Sequence, residues 1–324
     1  MTDTAWPPLP YAAWEPTKQT LHRYAQIVGK VRMALTPPRN HWWHVTLYVD
    51  TRGLTTGPMP AGDRYAEIAF DVLDHRLVVT TSDGGRRVLE LRDRPACADV
   101  FHDLFAALGE LGIHAEIHPE PFDLGDSPPF AQDTVNAAYD ADAVERFWHA
   151  LCSTERVLTA FSGRFAGKAS PVHLFWHSFD LAHARYSGRR APVAPEADPV
   201  TAEAYSHEVI AFGFWPGDDR RTPFPAFYSY TAPEPPGLTG HPLGPEAAAW
   251  HDTGAGSLAI LPYDDVRLAP DPPGVLLDFF EHAYRAGATS AGWDVEELAR
   301  SAPRAARPQP AGSSVQASGS APAT

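Results

Sequence analysis

Apolar residues at Leu21, Tyr24, Ala25, Val28, Val31 and Leu35 recur every three or four positions, which predicts an amphipathic helix over residues 17 to 35, stopped by Pro37-Pro38. The period then changes to two. His41, Trp43, Val45, Leu47 and Val49 fall at every second position, so a strand is expected with His41 on its apolar side. Ile68, Phe70 and Val72, followed by Leu77, Val79 and Thr81, predict an antiparallel meander that turns at Asp83-Gly84 into Val88 to Leu91. Val100, Phe101, Leu104, Phe105, Leu108 and Leu111 return to helical spacing. Gly112 closes that helix, and Ile113 to Ile117 alternates as a further short strand.

A Pro-rich connection over residues 119–138 leads to a longer helix, with Asp140 as its N-cap and Val144, Phe147, Trp148, Leu151, Leu158, Phe161 and Phe165 on one face. Strand character follows in Val172 to Ala182, Glu208 to Trp215, Ala226 to Thr231 and Leu258 to Tyr263. Asp271 and Pro272-Pro273 open a last helix lined by Leu276, Phe279, Phe280, Ala283 and Tyr284. Residues 301–324 are mostly Ala, Pro, Ser and Gly, too poor in large apolar side chains to offset the entropy of ordering, so a flexible tail is expected. The fold class is α+β, with largely antiparallel sheets packed by long helices in a first half over 1–118 and a second over 139–300. Trp43-His44 and Trp176-His177 occupy similar places in the two halves, so the halves are either a diverged duplication or separate units. Trp148-His149 and Trp250-His251 repeat the pair outside that scheme.

Composition narrows the partners. A chain of 324 residues with a net charge of -14 offers no broad positive field, which argues against nucleic acid and anionic membranes. No apolar run approaches the ~20 residues of a spanning helix, and the first residues lack a basic segment and an apolar signal core. A cytoplasmic location is expected. Cys97 and Cys152 both fall in amphipathic helices, as reduced cysteines acting as small apolar residues, and two cysteines build neither a disulfide framework nor a Cys-rich zinc site.

Candidate chemistry concentrates in three places. In Pro171 to Arg185 a helix would align His173, His177 and Asp180, whereas a strand would put His173, His177 and His183 on one face and Asp180 opposite them. The Phe, Trp and Val content favours the strand. Glu208 alternates with Ile210, Phe212 and Phe214, so it is either a buried carboxylate needing a partner or an exposed strand end. His41 could be a ligand, a base or a core histidine. Tyr228 and Tyr230 share a strand face and, with Trp42 and Trp215, could wall a pocket for a small organic ligand, core packing being the alternative. The chain has no nucleotide-cofactor fingerprint, P-loop, nucleophile elbow or His-Glu-x-x-His helix.

Several stretches resemble a bacterial domain family of unknown function: Gln26 to Arg32, Asn40 to Val45 with Arg52 to Thr56, Ser170 to His173, Ser178 to Ala182, Tyr205 to Val209 and Pro225 to Tyr228. The resemblance runs from Trp14 to about Glu297 and implies no activity. His177 and His183 depart from the family's pattern, leaving His41, His44, His173, Asp180, His207 and Glu208 as the matching polar set. The leading expectation is therefore a small-molecule enzyme with His207, Glu208 and Asp180 as catalytic groups. In its metal-dependent form, His41, His173, His207 and Glu208 hold a divalent ion, zinc or iron. The alternative is a non-catalytic binding protein for a small aromatic or apolar ligand.

Overall fold

The computed structural model describes residues 5–93, 95–125, 127–192, 196–219 and 222–300. The expected tail at 301–324 lies outside them. Helix α1 covers Tyr11–Leu35, beginning six residues before its apolar stripe suggests and running through Pro16. Six strands follow: β1 (Tyr48–Val49), β2 (Gly53–Thr55), β3 (Met59–Ala61), β4 (Arg64–Asp71), β5 (Arg76–Thr81) and β6 (Arg86–Glu90). They form one antiparallel sheet in the order β1-β2-β4-β5-β6, with β3 also paired to β4. Helix α2 (Cys97–Glu110) and helix α3 (Ala141–Ser162) come next.

The second sheet contains β7 (His173–Phe175), β8 (Asp180–Arg190), β9 (His207–Trp215), β10 (Ala226–Ala232), β11 (Ala249–Asp252) and β12 (Ser257–Pro262), in the order β11-β12-β10-β9-β8-β7. The short helix α4 (Pro199–Ala204) precedes β9, and α5 (Tyr263–Arg267) and α6 (Pro272–Ser290) are the last described helices. Leu47 and Leu174 exchange two main-chain hydrogen bonds of 2.9 and 2.8 Å, which tie the two sheets together beside β1 and β7. The α+β expectation holds, and no described helix is long and apolar enough to cross a membrane.

The second sheet has two unlike faces because strand side chains alternate. Leu181, Ile210, Phe212, Phe214, Phe227 and Leu261 point to one face and are buried. Phe161 of α3 and Phe280 of α6 close on Phe212 at ring separations of 4.8 and 5.8 Å. The helices cover that face, and Ala182, Gly213, Tyr228 and Tyr230 alternate onto the other.

Asp140 caps α3 as its sequence predicts, its Oδ1 accepting the Ala143 N–H at 3.2 Å. Asp140→Ala should lower stability by about 1 kcal/mol, read as an earlier urea midpoint with an unchanged slope.

Three expectations differ from the structure. Residues 41–47 do not form a strand: Asn40–Trp42 is one 3-10 turn, with His41 and Trp42 at φ 55° and 60°. That turn is held from far along the chain, because the Glu203 carboxylate accepts the His41 N–H at 3.0 Å. Residues 113–117 form no strand, and their alternation reflects one-sided packing alone. Residues 172–182 are a hairpin and not one strand. Phe179, at φ 60°, donates its N–H to the Phe175 carbonyl at 2.7 Å and closes a turn built from Trp176, His177, Ser178 and Phe179. None of these is a typical turn former except Ser, so composition concealed the reversal.

Candidate functional site

That aromatic turn is fixed by α1. The His22 ring nitrogen Nε2 lies 2.9 Å from the Trp176 carbonyl and 3.2 Å from that of His177, and its ring stacks on Phe179 at 4.8 Å. Gly29 gives Trp176 its seat, since a Cβ there would lie 2.0 Å from the Trp176 ring. Buried Phe179 and Trp176 anchor the turn, and the residues between and just after them, His177, Ser178 and Asp180, are delivered to the rim of the sheet face opposite α3 and α6.

On that face the register aligns Ala182, Gly213, Tyr228 and Ile260 across β8, β9, β10 and β12. Ala182 and Gly213 are small enough to leave a trough. A Cβ on Gly213 would lie 2.5 Å from both Cζ and the hydroxyl of Tyr228, so the tyrosine crosses β9 directly over this glycine. Its hydroxyl thereby reaches a residue two strands away and donates to Asp180 Oδ2. The Ser178 hydroxyl donates to the other carboxylate oxygen, Oδ1. Tyr228 and Tyr230 lie nearly parallel, 12° apart with centroids 6.2 Å apart, and the Tyr230 hydroxyl is 3.1 Å from that of Tyr205.

These groups line an open cavity of about 340 Å³, whose other walls include Trp215, His177 and the aliphatic Leu258 and Ile260. Burial, reinforced by the neighbouring Asp180 charge, holds the Tyr228 hydroxyl well above its ordinary pKa, and burial with Tyr205 does the same to Tyr230. Both hydroxyls therefore stay protonated near neutral pH and serve as donors. Burial also lowers the His177 pKa, against the opposing pull of Asp180 and Asp123, which favours the neutral ring. Among the described lining residues Asp180 is the one carboxylate, and no Lys or Arg is present.

Of the residues singled out from sequence, Asp180, Trp215, Tyr228 and Tyr230 meet at this cavity. Trp42 does not line it and stacks instead on His44, 5.4 Å away, whose Nδ1 accepts the Arg39 N–H. The four expected metal ligands occupy three separate settings. His41 and His207 are neighbours with ring centroids 5.6 Å apart, but His173 is buried against Thr46, its Nδ1 3.2 Å from Oγ1. Glu208 sits at the start of β9 and pairs with Arg189, at 2.7 Å, while also accepting the Trp293 indole N–H at 2.9 Å. Partial burial pushes its pKa up, but these donors and Ser187 outweigh that and hold it below the usual carboxylate value. Glu208 is thus a surface ion-pair member. Among the described residues no three His, Cys, Asp or Glu side chains are placed to hold one metal ion.

His41 has a different use. Its Nδ1 faces the carbonyls of Glu203 and Ala204, each at 3.2 Å, so that nitrogen carries the proton and Nε2 accepts from Lys168 Nζ at 2.7 Å. Burial and the Lys168 charge lower its pKa, in keeping with the neutral ring. Stacked on Tyr186 at 4.5 Å, it docks α4 against the sheet and so supports Tyr205 at the end of that helix.

Sequence reasoning passed over Ser178, Tyr205 and Thr222 as cavity residues and set His177 aside. Ser178 and Tyr205 lie inside stretches that carried the family resemblance, and that placement was the available signal. A family model described as "Family of unknown function (DUF5996)" matches residues 6–300. No curated protein and no solved structure matches the chain.

Proposed function

Because the chain belongs to this family of unknown function, DUF5996, we propose its function from the cavity alone: it binds a small organic molecule there, with Asp180 as the central polar contact. The observation that carries this reading is a carboxylate only 8% exposed, oriented by two hydroxyls from different elements at the edge of a 340 Å³ void walled by aromatic rings. That volume lies within the range of small-molecule pockets, ~300–1,000 Å³. A few convergent polar groups on an otherwise apolar wall are the usual means of orienting a ligand. Metal ligation by the four-residue set has no such convergence behind it.

A catalytic form of the same reading is favoured by one further observation. A neutral imidazole, His177, and a carboxylate, Asp180, share the cavity wall, which is the minimum equipment for moving a proton to and from a bound molecule. Asp180 would accept the proton, and the protonated Tyr228 would steady the carboxylate by donating to it.

A fragment screen by ligand-observed NMR, followed by calorimetry, tests the binding reading. Asp180→Asn is expected to weaken a cavity ligand by about tenfold, as for loss of a charge-assisted hydrogen bond. Glu208→Gln should leave its affinity unchanged. Hits that bind Asp180→Asn as well as the parent, or none at all from the screen, would sink the proposal. Where a ligand is turned over, Asp180→Asn should lower kcat about 100-fold or more with stability kept.

A further inference from the structure

We propose that the cavity selects an organic ammonium, with the positive nitrogen against Asp180 and the apolar body against the rings of Tyr228, Tyr230 and Trp215. The inference rests on the binding reading above and narrows it to a chemical class. It begins from an electrostatic imbalance. Asp180 is buried, its hydrogen-bond partners among the described residues are the hydroxyls of Ser178 and Tyr228, and no described Lys or Arg forms an ion pair with it. Two neutral donors offset part of the cost of burying a carboxylate but leave its charge in place. Each oxygen also keeps a lone pair beyond the one its hydroxyl uses, so the group can accept from a ligand N–H without losing either partner.

The remaining walls suit the same ligand. Tyrosine and tryptophan faces attract a cation through their ring quadrupole, and this attraction grows as water is excluded. The near-parallel Tyr228 and Tyr230, with Trp215 lining the same void, make an aromatic wall beside the carboxylate. His177 does not neutralise the site, because its burial favours the uncharged ring. An anion would meet Asp180 with no opposing charge among the described lining residues, and a neutral molecule would leave the carboxylate uncompensated. The net charge of -14 also raises the local concentration of cations around the molecule.

Calorimetry on the full chain with three probes of one shape tests the assignment: 2-phenylethylammonium, 2-phenylethanol and phenylacetate. The ammonium is expected to bind at least tenfold more tightly than the alcohol, and phenylacetate more weakly than either. Asp180→Asn, which keeps the shape of the side chain, should bring the ammonium and the alcohol to within about twofold of each other. The comparison within the parent protein stands even where the variant folds poorly. Equal or tighter binding of the alcohol or phenylacetate overturns the ammonium assignment and leaves the cavity reading standing. Failure of all three to bind also overturns the assignment, and the fragment screen then decides the cavity reading by itself.

Discussion

Acidification from pH 7 to pH 4 is expected to remove most of the stability of this protein, with the loss beginning above the range in which carboxylates titrate. His22, His173 and His183 are 3%, 1% and 0% exposed, and burial pulls each pKa down to about 3. The charges of Lys18 and Arg23 near His22, and of Arg185 near His183, lower these values further. The sign follows from proton uptake. The unfolded chain protonates these rings as pH falls through about 6.5, whereas the folded chain resists until about pH 3. Between those limits the unfolded state holds more protons, so stability is complete above the unfolded value and is lost as pH falls.

Each histidine contributes at most ~1.4 kcal/mol per pH unit within that window, so the three together approach ~4 kcal/mol per unit. Against a total of about 5–15 kcal/mol for a folded domain, about one to four pH units of that slope bring the chain to its midpoint. Urea denaturation at pH 7, 6, 5 and 4 should show a steadily falling midpoint. His173→Gln, despite its own packing cost, should flatten the dependence by about a third. A midpoint constant from pH 7 to pH 5 would contradict the buried neutral histidines. Depressed carboxylates such as Asp83, held at about 2 by Thr81 and Arg64, act in the same direction but only at lower pH.

The second large effect is expected at Gly213. An added Cβ would lie 2.4 Å from the Leu181 carbonyl oxygen on β8 and 2.5 Å from the end of the Tyr228 ring. The first neighbour is backbone in the middle of a paired ladder, where Ala182 and Gly213 face each other, so it cannot yield without disturbing β8. The second can move, but only by lifting its hydroxyl from Asp180. Gly213→Ala should therefore cost about 3 kcal/mol, at the upper end of ordinary overpacking, and release Tyr228 as well. Two measurements separate these consequences. Denaturation reports the strain, and ultraviolet titration should show one tyrosine moving down toward the ordinary value of about 10. Gly240→Ala, where an added Cβ has nothing within 4 Å, is the matched control. A Gly213→Ala protein with parental stability and affinity would refute the crossing geometry as the basis of the site.

Local patterning was legible wherever neighbours in sequence decided the outcome. The apolar stripes of α1, α3 and α6, the Asp140 and Asp271 caps, the β4 to β6 meander and the alternation in β9, β10 and β12 were all readable, because each depends on contacts within a few residues. Alternation also put Tyr228 and Tyr230 on one face. It failed at His41, where a left-handed turn is set by Glu203, 162 positions away, and at Trp176 to Phe179, where packing on α1 imposes a reversal on aromatic residues. Glu208 was placed on the correct face, but its fate was decided by Arg189 from the next strand and Trp293 from beyond α6.

From its residues alone, the chain determined its α+β class, its membership of a family of unknown function and a short set of polar and aromatic residues that includes the cavity's carboxylate. Periodicity and motif order carry that information, being properties of one segment at a time. Only the tertiary structure decided which of those residues meet. It separated His173 and Glu208 from His41, and brought Asp180, Ser178 and Tyr228 together across β9. The physical reason is the cross-strand register: it aligns Ala182, Gly213 and Tyr228, positions as much as 46 residues apart, and a missing Cβ on one strand sets how far a side chain on the next can reach.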